Sequence, residues 1–421
     1  MKRLLLAAAA LVAAATPAMA QDTILVGNLI ADAREGATGP ATIVVDQGRI
    51  VSVTQGHQRP ASGDVIDLSD KTVMPGLIDL HTHLSGDPSG EFWRAATTPV
   101  EWNTVLAIKN AKLTLAAGFT TVRNPGSDQQ SVHMLRRATE QWVVPGPRVL
   151  SAGPSLAIIG GHGDVSGFRP EINELLDSGY NCTGPVECAA KVRLASQNGA
   201  DFIKITATGG VLSQQGRGLE AHFSDAEMKA IVDTAASLGI HVAAHAHGAR
   251  GIEAASKAGV RTIEHGTYLD KEAARAMRQN GTVLVPTLMA FKGIEEGLAK
   301  NMYTPVVVPK VQATVALTGN QVRTALAEGV TIAFGTDSGV FEHGRNAEEF
   351  QMLIDAGMTP TQALVSATIT AADVLGMAGE IGRIAPGMSA DLIAFDGDPY
   401  ADVTVLEEVD WVMVRGRTLD D

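Results

Sequence analysis

The chain has 421 residues, 33 of them Lys or Arg and 46 Asp or Glu, for a formal net charge of −13. With 45% hydrophobic and 19% charged residues, the composition is that of a folded globular protein and excludes a disordered chain. The acidic balance, without any Lys/Arg-rich run, argues against nucleic acid as a partner, and only two cysteines, Cys182 and Cys188, exclude a disulfide scaffold or a cysteine-based zinc module.

The first segment reads as a secretory signal. Lys2 and Arg3 precede the apolar run LLLAAAALVAAA, and Ala18-Met19-Ala20 supplies a small-x-small cleavage site. The run is shorter than the ~20 apolar residues of a membrane span, and no cysteine follows it to carry a lipid. Residues 1–20 are therefore expected to be removed, leaving a periplasmic or secreted protein without a membrane attachment, in an oxidising compartment. Residues 21–75 hold short β-branched runs broken by Gly and Asp (TILVGNLIAD, ATIVVDQG, RIVSVTQ, DVIDLS), the pattern of a small β-domain.

From residue 76 to 377 the pattern changes. Eight apolar runs (GLIDLHTHL, GFTTVRNPG, RVLSAGPSL, ADFIKITATGG, HVAAHAHG, RTIEHGTYL, TVLVPTLMA, VTIAFGTDSG) alternate with helical stretches such as DAEMKAIVDTAASLG and EAARAMRQNG, which end in Gly as helices often do. Eight such units predict an α/β fold, a (β/α)8 TIM barrel; an open doubly wound sheet is the alternative. Residues 378–421 return to strand character. The N- and C-terminal segments are thus expected to form one small β-sandwich domain, with the barrel inserted between them.

Strand side chains alternate faces, so Asp79, His81 and His83 share one face of the first run. His245 ends the fifth run, His265 the sixth and Asp337 the eighth, each at the strand end where barrel active sites lie. A single strand histidine is ordinarily a packing residue. Four histidines and an aspartate converging there are costly to bury unless paired or metal-bound, and a metal centre is the reading the pattern favours. Lys204 lies mid-strand on the face of Phe202 and Thr206. By residue type it reads first as a buried lysine paired with a carboxylate. The alternative is a lysine desolvated to neutrality and carboxylated by CO2, a two-oxygen anion able to bridge two metals.

The motifs VMPGLIDLHTHL, AGFTTVRN, GGHG, GADFIKITATGG, VAAHAHG, IEHGTYLD, GTDSG and IGRIAPGMSADLIAFDGDP, in order along nearly the whole chain, resemble the metal-dependent amidohydrolase superfamily. Within it the chain is similar to the imidazolonepropionase-like and Xaa-Pro dipeptidase-like branch. The resemblance implies a barrel with two divalent metal ions: His81, His83 and Asp337 on one, His245 and His265 on the other, and a CO2-derived carbamate on Lys204 bridging them. It therefore favours the carbamate over the ion-paired lysine. Zinc suits the histidines, with manganese, cobalt and nickel open. One departure stands at Asn124, where the family motif TTVRD carries aspartate, so no carboxylate role transfers to that position. In such a site two ions ~3.5–4 Å apart share and acidify a hydroxide that attacks an amide carbonyl. Asp337 then serves as base and, later, as acid toward the leaving amine. No GxSxG motif supports a serine mechanism.

Several residues near these ends are candidate substrate contacts. His162, His247 and Tyr268 would donate to an oxyanion or a substrate carboxylate, with support of the metal ligands as the alternative for each. Val211, Leu212 and Val340 would form apolar walls. His343 and Arg345 lie in the eighth loop; Arg345 would pair a carboxylate or make a structural ion pair, and Glu342 would suit a basic side chain. His57, His133, His222 and His241 read as structural or surface residues. Cys182 and Cys188 in NCTGPVEC are expected to be disulfide-bonded, given the oxidising compartment and the Gly-Pro turn between them, against two free thiols in a loop.

These readings converge on an enzyme that hydrolyses carbon–nitrogen bonds of small-molecule N-acyl amino acids or dipeptides, carboxypeptidase-like, with an apolar or aromatic C-terminal residue. IKITATGGVLSQQG and NCTGPVECAAKVR are similar to stretches of bacterial amidohydrolases that hydrolyse ochratoxin A, an aromatic acid amide of phenylalanine. The alternatives are an Xaa-Pro or Xaa-Lys/Arg dipeptidase, a cyclic-amide hydrolase of the imidazolonepropionase type, and a periplasmic binding protein without catalysis. Lys204 weighs against the cyclic-amide reading, and the full ligand set against the binding protein. A homo-oligomer is expected.

Overall fold

The computed structural model describes residues 21–60, 63–89, 91–215 and 218–419; the signal-like segment, residues 1–20, lies outside them. Four strands come first: β1 (Asp22–Leu29), β2 (Ala41–Asp46), β3 (Arg49–Gln55) and β4 (Val65–Pro75). Seven more alternate with helices: β5 (Leu77–Asp79), β6 (Phe119–Asn124), β7 (Arg148–Ser151), β8 (Ile203–Thr206), β9 (Val242–Ala246), β10 (Thr262–His265) and β11 (Val283–Val285). The chain ends in β12 (Leu392–Phe395), β13 (Val409–Val414) and β14 (Arg417–Thr418).

The two chain ends meet in one seven-stranded sheet of order β14-β13-β12-β4-β1-β2-β3. It is mixed, because β1 and β4 run parallel while β12 lies antiparallel to β4. Its apolar face is built from both ends of the chain: Ile24, Val26, Ile43 and Val73 pack with Leu392 and Met413 in one buried cluster.

The central strands form two parallel ribbons, β5-β6-β7 and β8-β9-β10-β11. Backbone hydrogen bonds close them into a ring. On one side the Leu156 N–H donates to Lys204 O (2.8 Å) and the Thr206 N–H to Leu156 O (3.1 Å). On the other, the eighth run enters between β11 and β5: the Leu284 N–H donates to Thr331 O (2.9 Å), the Leu80 N–H to Phe334 O (3.1 Å) and the Asp337 N–H to His81 O (2.7 Å). The result is the (β/α)8 barrel. Strands β6, β8, β9 and β10 are buried along their whole length, as parallel strands covered by helices must be. Side chains such as Leu77, Val122, Ile203, Ala244, Ile263 and Phe334 join the helices in a single core. Local chemistry sets the helix ends. Ser224 and Glu227 form a reciprocal capping box at the start of Asp225–Ser237, and Gly281, at φ 68°, terminates Lys271–Asn280 in the left-handed conformation that glycine tolerates. Gly76, at the junction of β4 and β5, has no substitute: a Cβ there would lie 2.1 Å from Thr120 Oγ1 on β6.

Candidate active site

The strand ends gather the polar residues at one mouth of the barrel. His81 and His83 follow β5, Lys204 lies in β8, His245 in β9, His265 ends β10 and Asp337 lies near the end of the eighth run. Three non-glycine residues here adopt left-handed backbone: His265 (φ 71°), Thr287 (φ 50°) and Asp337 (φ 63°). Such conformations cost energy and persist where surrounding structure holds a side chain to a task.

Each histidine is held by one ring nitrogen and leaves the other free. His81 Nδ1 lies 2.8 Å from Glu264 Oε2, His83 Nδ1 2.8 Å from Gly126 O and His245 Nε2 3.1 Å from Gly209 O. Carboxylates and carbonyls only accept, so those nitrogens carry a proton, and in a neutral ring the opposite nitrogen presents a lone pair. His265 Nδ1 is held by Thr287 Oγ1 at 2.7 Å. Burial holds His81, His245 and His265 far below the ordinary imidazole pKa, hence neutral. Asp337 Oδ1 lies 3.5 Å from His81 Nε2 and 3.2 Å from His83 Nε2, but neither contact has hydrogen-bond geometry and the atom is buried without a partner. Ligand atoms of His81, His265 and Asp337 fall within 4.8 Å of one another, as do those of His245, His247 and His265. Buried lone pairs converging with no proton between them suit a cation, and the outward hydrogen bonds are those that orient metal-binding imidazoles. The donor set therefore fits a metal cation.

Lys204 is only 4% exposed, and no carboxylate lies within ion-pair distance of it among the described residues. The ion-paired reading of this lysine is thus not what the barrel contains. Burial lowers its pKa to about 8, against the pull of Glu264 and Asp337.

These residues line a cavity of about 310 Å³, together with an apolar wall that includes Val211, Leu212, Phe291, Ile294 and Val340. His162 and His247 also line it. His162 Nδ1 lies 2.7 Å from Ser213 Oγ, with its ring centroid 4.2 Å from that of His245. His247 Nδ1 is 2.7 Å from Thr267 Oγ1, and its ring stacks on His265 at 5.0 Å. It sits closer to the candidate metal ligands than its sequence position suggests.

Three residues read from the sequence as substrate contacts do not line this cavity. Tyr268 is 37% exposed and meets the site only through its N–H, which donates to His247 O (3.0 Å). His343 is buried behind it, with Nδ1 3.0 Å from Thr114 Oγ1 and Nε2 3.2 Å from His83 O, bracing the turn after β5. Arg345 is taken up by Glu296 (3.0 Å) and Glu348 (2.6 Å), a structural ion-pair cluster that Glu342 also joins.

Two further residues bear on the site without having been singled out in the sequence. Arg123 in β6 and Glu264 in β10 are both fully buried and paired at 2.6 Å, and Glu264 also holds His81. The available signal was a charged residue inside two strands otherwise buried on both faces. Asn124 explains its own departure from aspartate: Oδ1 accepts from the Leu84 N–H (2.8 Å), and Nδ2 donates to Gly126 O (3.0 Å), the carbonyl that also orients His83. It is a clamp on the His83 turn, and its amide supplies a donor that a carboxylate lacks. Of the other histidines, His57 bonds Val26 O (2.9 Å) and His241 stacks on Phe202.

Cys182 and Cys188 form a disulfide (S–S 2.07 Å). The bonded turn is tied to the loop carrying His162, through the Cys182 N–H to Ala157 O (3.0 Å) and Asn181 Nδ2 to Asp164 Oδ1 (2.7 Å). Replacing both cysteines with serine is expected to raise KM several-fold while metal content stays unchanged, because His162 is displaced and the barrel ligands are not. Parallel KM and metal measurements check this; metal loss at unchanged KM would contradict it.

A model of the amidohydrolase family matches residues 72–419. An ochratoxinase of Aspergillus niger is 34% identical over 362 residues, 80% of this chain and 72% of that protein. Among solved structures, a Xaa-Pro dipeptidase with methionine bound in its active site is 37% identical, with a TM-score of 0.87 over 94% of this chain and 99% of the other. The A. niger ochratoxinase structure gives a TM-score of 0.83 at 28% identity over 95% of each chain.

Proposed function

The chain belongs to the amidohydrolase family and is a hydrolase of amide bonds, and from that premise we propose that it is a secreted, binuclear-metal enzyme cleaving N-acyl amino acids or dipeptides next to an apolar or aromatic C-terminal residue. The observation that carries this reading is a cavity of about 310 Å³ with imidazoles, Asp337 and Lys204 on one side and a wall of aliphatic and aromatic side chains on the other. His81, His83 and Asp337 would hold one divalent ion, zinc by preference, and His245 and His265 the other. Bound there, the ions supply polarisation of the amide carbonyl and a water acidified toward neutrality.

The protein's own groups do the rest. Lys204, with its pKa lowered to about 8, has neutral amine available near neutral pH. That amine adds to CO2, forming an N–C bond and releasing a proton, and the carbamate supplies the anion between the two ligand groups. Burial disfavours an ionised Asp337, but the His81 and His83 imidazoles outweigh it and hold its pKa below the usual carboxylate value. Asp337 is thus a carboxylate at neutral pH, able to accept a proton from the attacking water and return it to the leaving amine. His162 and His247, with pKa values pushed down to about 3 by burial, remain neutral and present ring N–H groups to the developing oxyanion or to the substrate carboxylate. The apolar wall receives the side chain and excludes water.

Ochratoxin A, an aromatic amide of phenylalanine, fits this description, and the likeness to an ochratoxinase supports it. The likeness to a Xaa-Pro dipeptidase supports proline as a second C-terminal residue, since a pyrrolidine also suits an apolar wall. The test is a substrate panel with the metal-loaded enzyme. N-acyl-phenylalanine and N-acyl-leucine are expected to give higher kcat/KM than the lysine or arginine analogues, and the reverse order would overturn the apolar preference. Blocking the substrate carboxylate as an amide should lower kcat/KM by about 10²-fold, the cost of leaving a buried donor unpaired. Equal rates on acid and amide would contradict the carboxypeptidase reading. Secretion is checked by the N-terminal sequence of exported protein, expected to begin at Gln21.

A further inference from the structure

One buried carboxylate has a task that the fold alone does not require. Glu349 is fully buried, at the second position of the helix Glu348–Asp355. Its two oxygens accept from the first two N–H groups of another helix, Leu288–Ala299: Oε1 from Leu288 (2.8 Å) and Oε2 from Met289 (2.6 Å). Burial pushes its pKa well above the ordinary carboxylate value, although both N–H groups pull the other way. A buried carboxylate is a costly way to start a helix, and the two helices are also joined by the partly exposed pair Glu348 and Lys292 (2.5 Å).

The usual device is one residue away. A threonine at the N-cap position ordinarily turns its side-chain oxygen onto an N–H of the first turn. Thr287 holds that position, yet its side chain makes no such bond, and its backbone is left-handed (φ 50°, ψ 50°) instead of extended. Its hydroxyl lies 2.7 Å from His265 Nδ1. Only its carbonyl serves the helix, accepting from the Ala290 N–H (3.1 Å). Of the first three N–H groups, Glu349 thus takes two and the Thr287 carbonyl one, and the Thr287 hydroxyl is left to the imidazole.

We propose that Glu349 is a positioning residue for His265: by holding the first two N–H groups of Leu288–Ala299 it relieves the Thr287 hydroxyl of capping and fixes it on His265 Nδ1, which aims the opposite ring nitrogen at the cavity. This rests on the reading of His265 as a metal ligand and extends its support one residue further out. Glu349 touches neither metal nor substrate.

The experiment combines zinc titration of the metal-free protein with hydrogen exchange at the Leu288 and Met289 amides. Glu349→Met removes both acceptors. It should weaken zinc binding by about tenfold, the lower end of the range for losing a group that orients a ligand, and expose the two amides to exchange. Glu349→Gln, which keeps one acceptor oxygen, should recover part of both. Thr287→Val should weaken zinc binding at least as much while leaving the two amides protected, and Thr287→Ser should bind zinc like the wild type. The double variant Glu349→Met with Thr287→Val should bind zinc no more weakly than Thr287→Val alone, because Glu349 acts on the metal only through Thr287. Zinc affinity of Glu349→Met within twofold of the wild type, or zinc losses that multiply in the double variant, would overturn the proposal. Where Glu349→Met does not fold, Thr287→Val decides: loss of protection at Leu288 and Met289 would show that Thr287 itself starts the helix and would equally overturn it. Failure of the wild type to bind zinc would instead remove the metal reading on which the proposal rests.

Discussion

Lys204→Ala is expected to lose bound metal and to lower kcat/KM by about 10³-fold, the scale of removing a group that stabilises charge in the transition state. The side chain is buried in β8, lacks a carboxylate partner among the described residues and lines the same cavity as the imidazoles. Of the six candidate ligands only Asp337 is anionic without the carbamate, and one carboxylate among neutral imidazoles holds two dications poorly. Propionate should restore part of the metal and activity in Lys204→Ala, because the truncated side chain leaves space for a free carboxylate. Lys204→Met should show the same losses without rescue, since its side chain occupies that space. Full metal occupancy in Lys204→Ala would contradict the bridging role.

Arg123→Met is expected to cost about 3–5 kcal/mol of stability, because it leaves Glu264 charged and buried without its partner. The same change should weaken metal binding by about 10- to 100-fold, the range for losing a residue that orients a ligand. The physical chain is short. Arg123 Nη2 holds Glu264 Oε1 at 2.6 Å, Thr262 donates to the same oxygen, and the other oxygen fixes His81 Nδ1 at 2.8 Å. Arg123 also donates through Nε to Leu80 O (2.6 Å), directly before His81. Combining Arg123→Met with Glu264→Gln should recover part of the stability, since no unpaired charge remains, but not the metal affinity. Urea unfolding of metal-free protein and metal titration read the two effects separately. Recovery of affinity in the double variant would show that the pair serves the fold alone.

The candidate ligand residues were legible in the sequence as a group because two simple rules select them: alternation along a strand, and convergence of strand ends at one mouth of a parallel barrel. Both rules are local, and His81, His83, His245 and Asp337 obey them. The supporting network escaped because it joins residues far apart. Arg123 and Glu264 are separated by 141 positions, and Arg345 and Glu296 by 49. Glu264 was hidden for a further reason. Strict alternation assigns it and His265 to opposite faces of β10; Glu264, in register with His245, faces inward and meets the His81 ring, and the left-handed backbone at His265 is where that ring is brought toward His81 as well. Tyr268 falls outside the cavity because a loop's path over the barrel mouth is set by tertiary contacts, and of the two readings of Arg345 the structural ion pair is the one found, an arginine's ordinary fate being the nearest carboxylate pair. The eighth run was visible as an apolar segment, although it joins its neighbours through only a few backbone bonds.

The central claim is that one cavity holds two divalent ions on these side chains and uses them to cleave an amide. Metal content and hydrolysis of N-acetyl-phenylalanine, followed in the same sample through chelation and re-addition of zinc, test it most directly. The account predicts close to two ions per chain at full activity, loss of turnover as they are withdrawn, and recovery on re-addition. A preparation stripped of metal that still hydrolyses the amide at the original rate would contradict it.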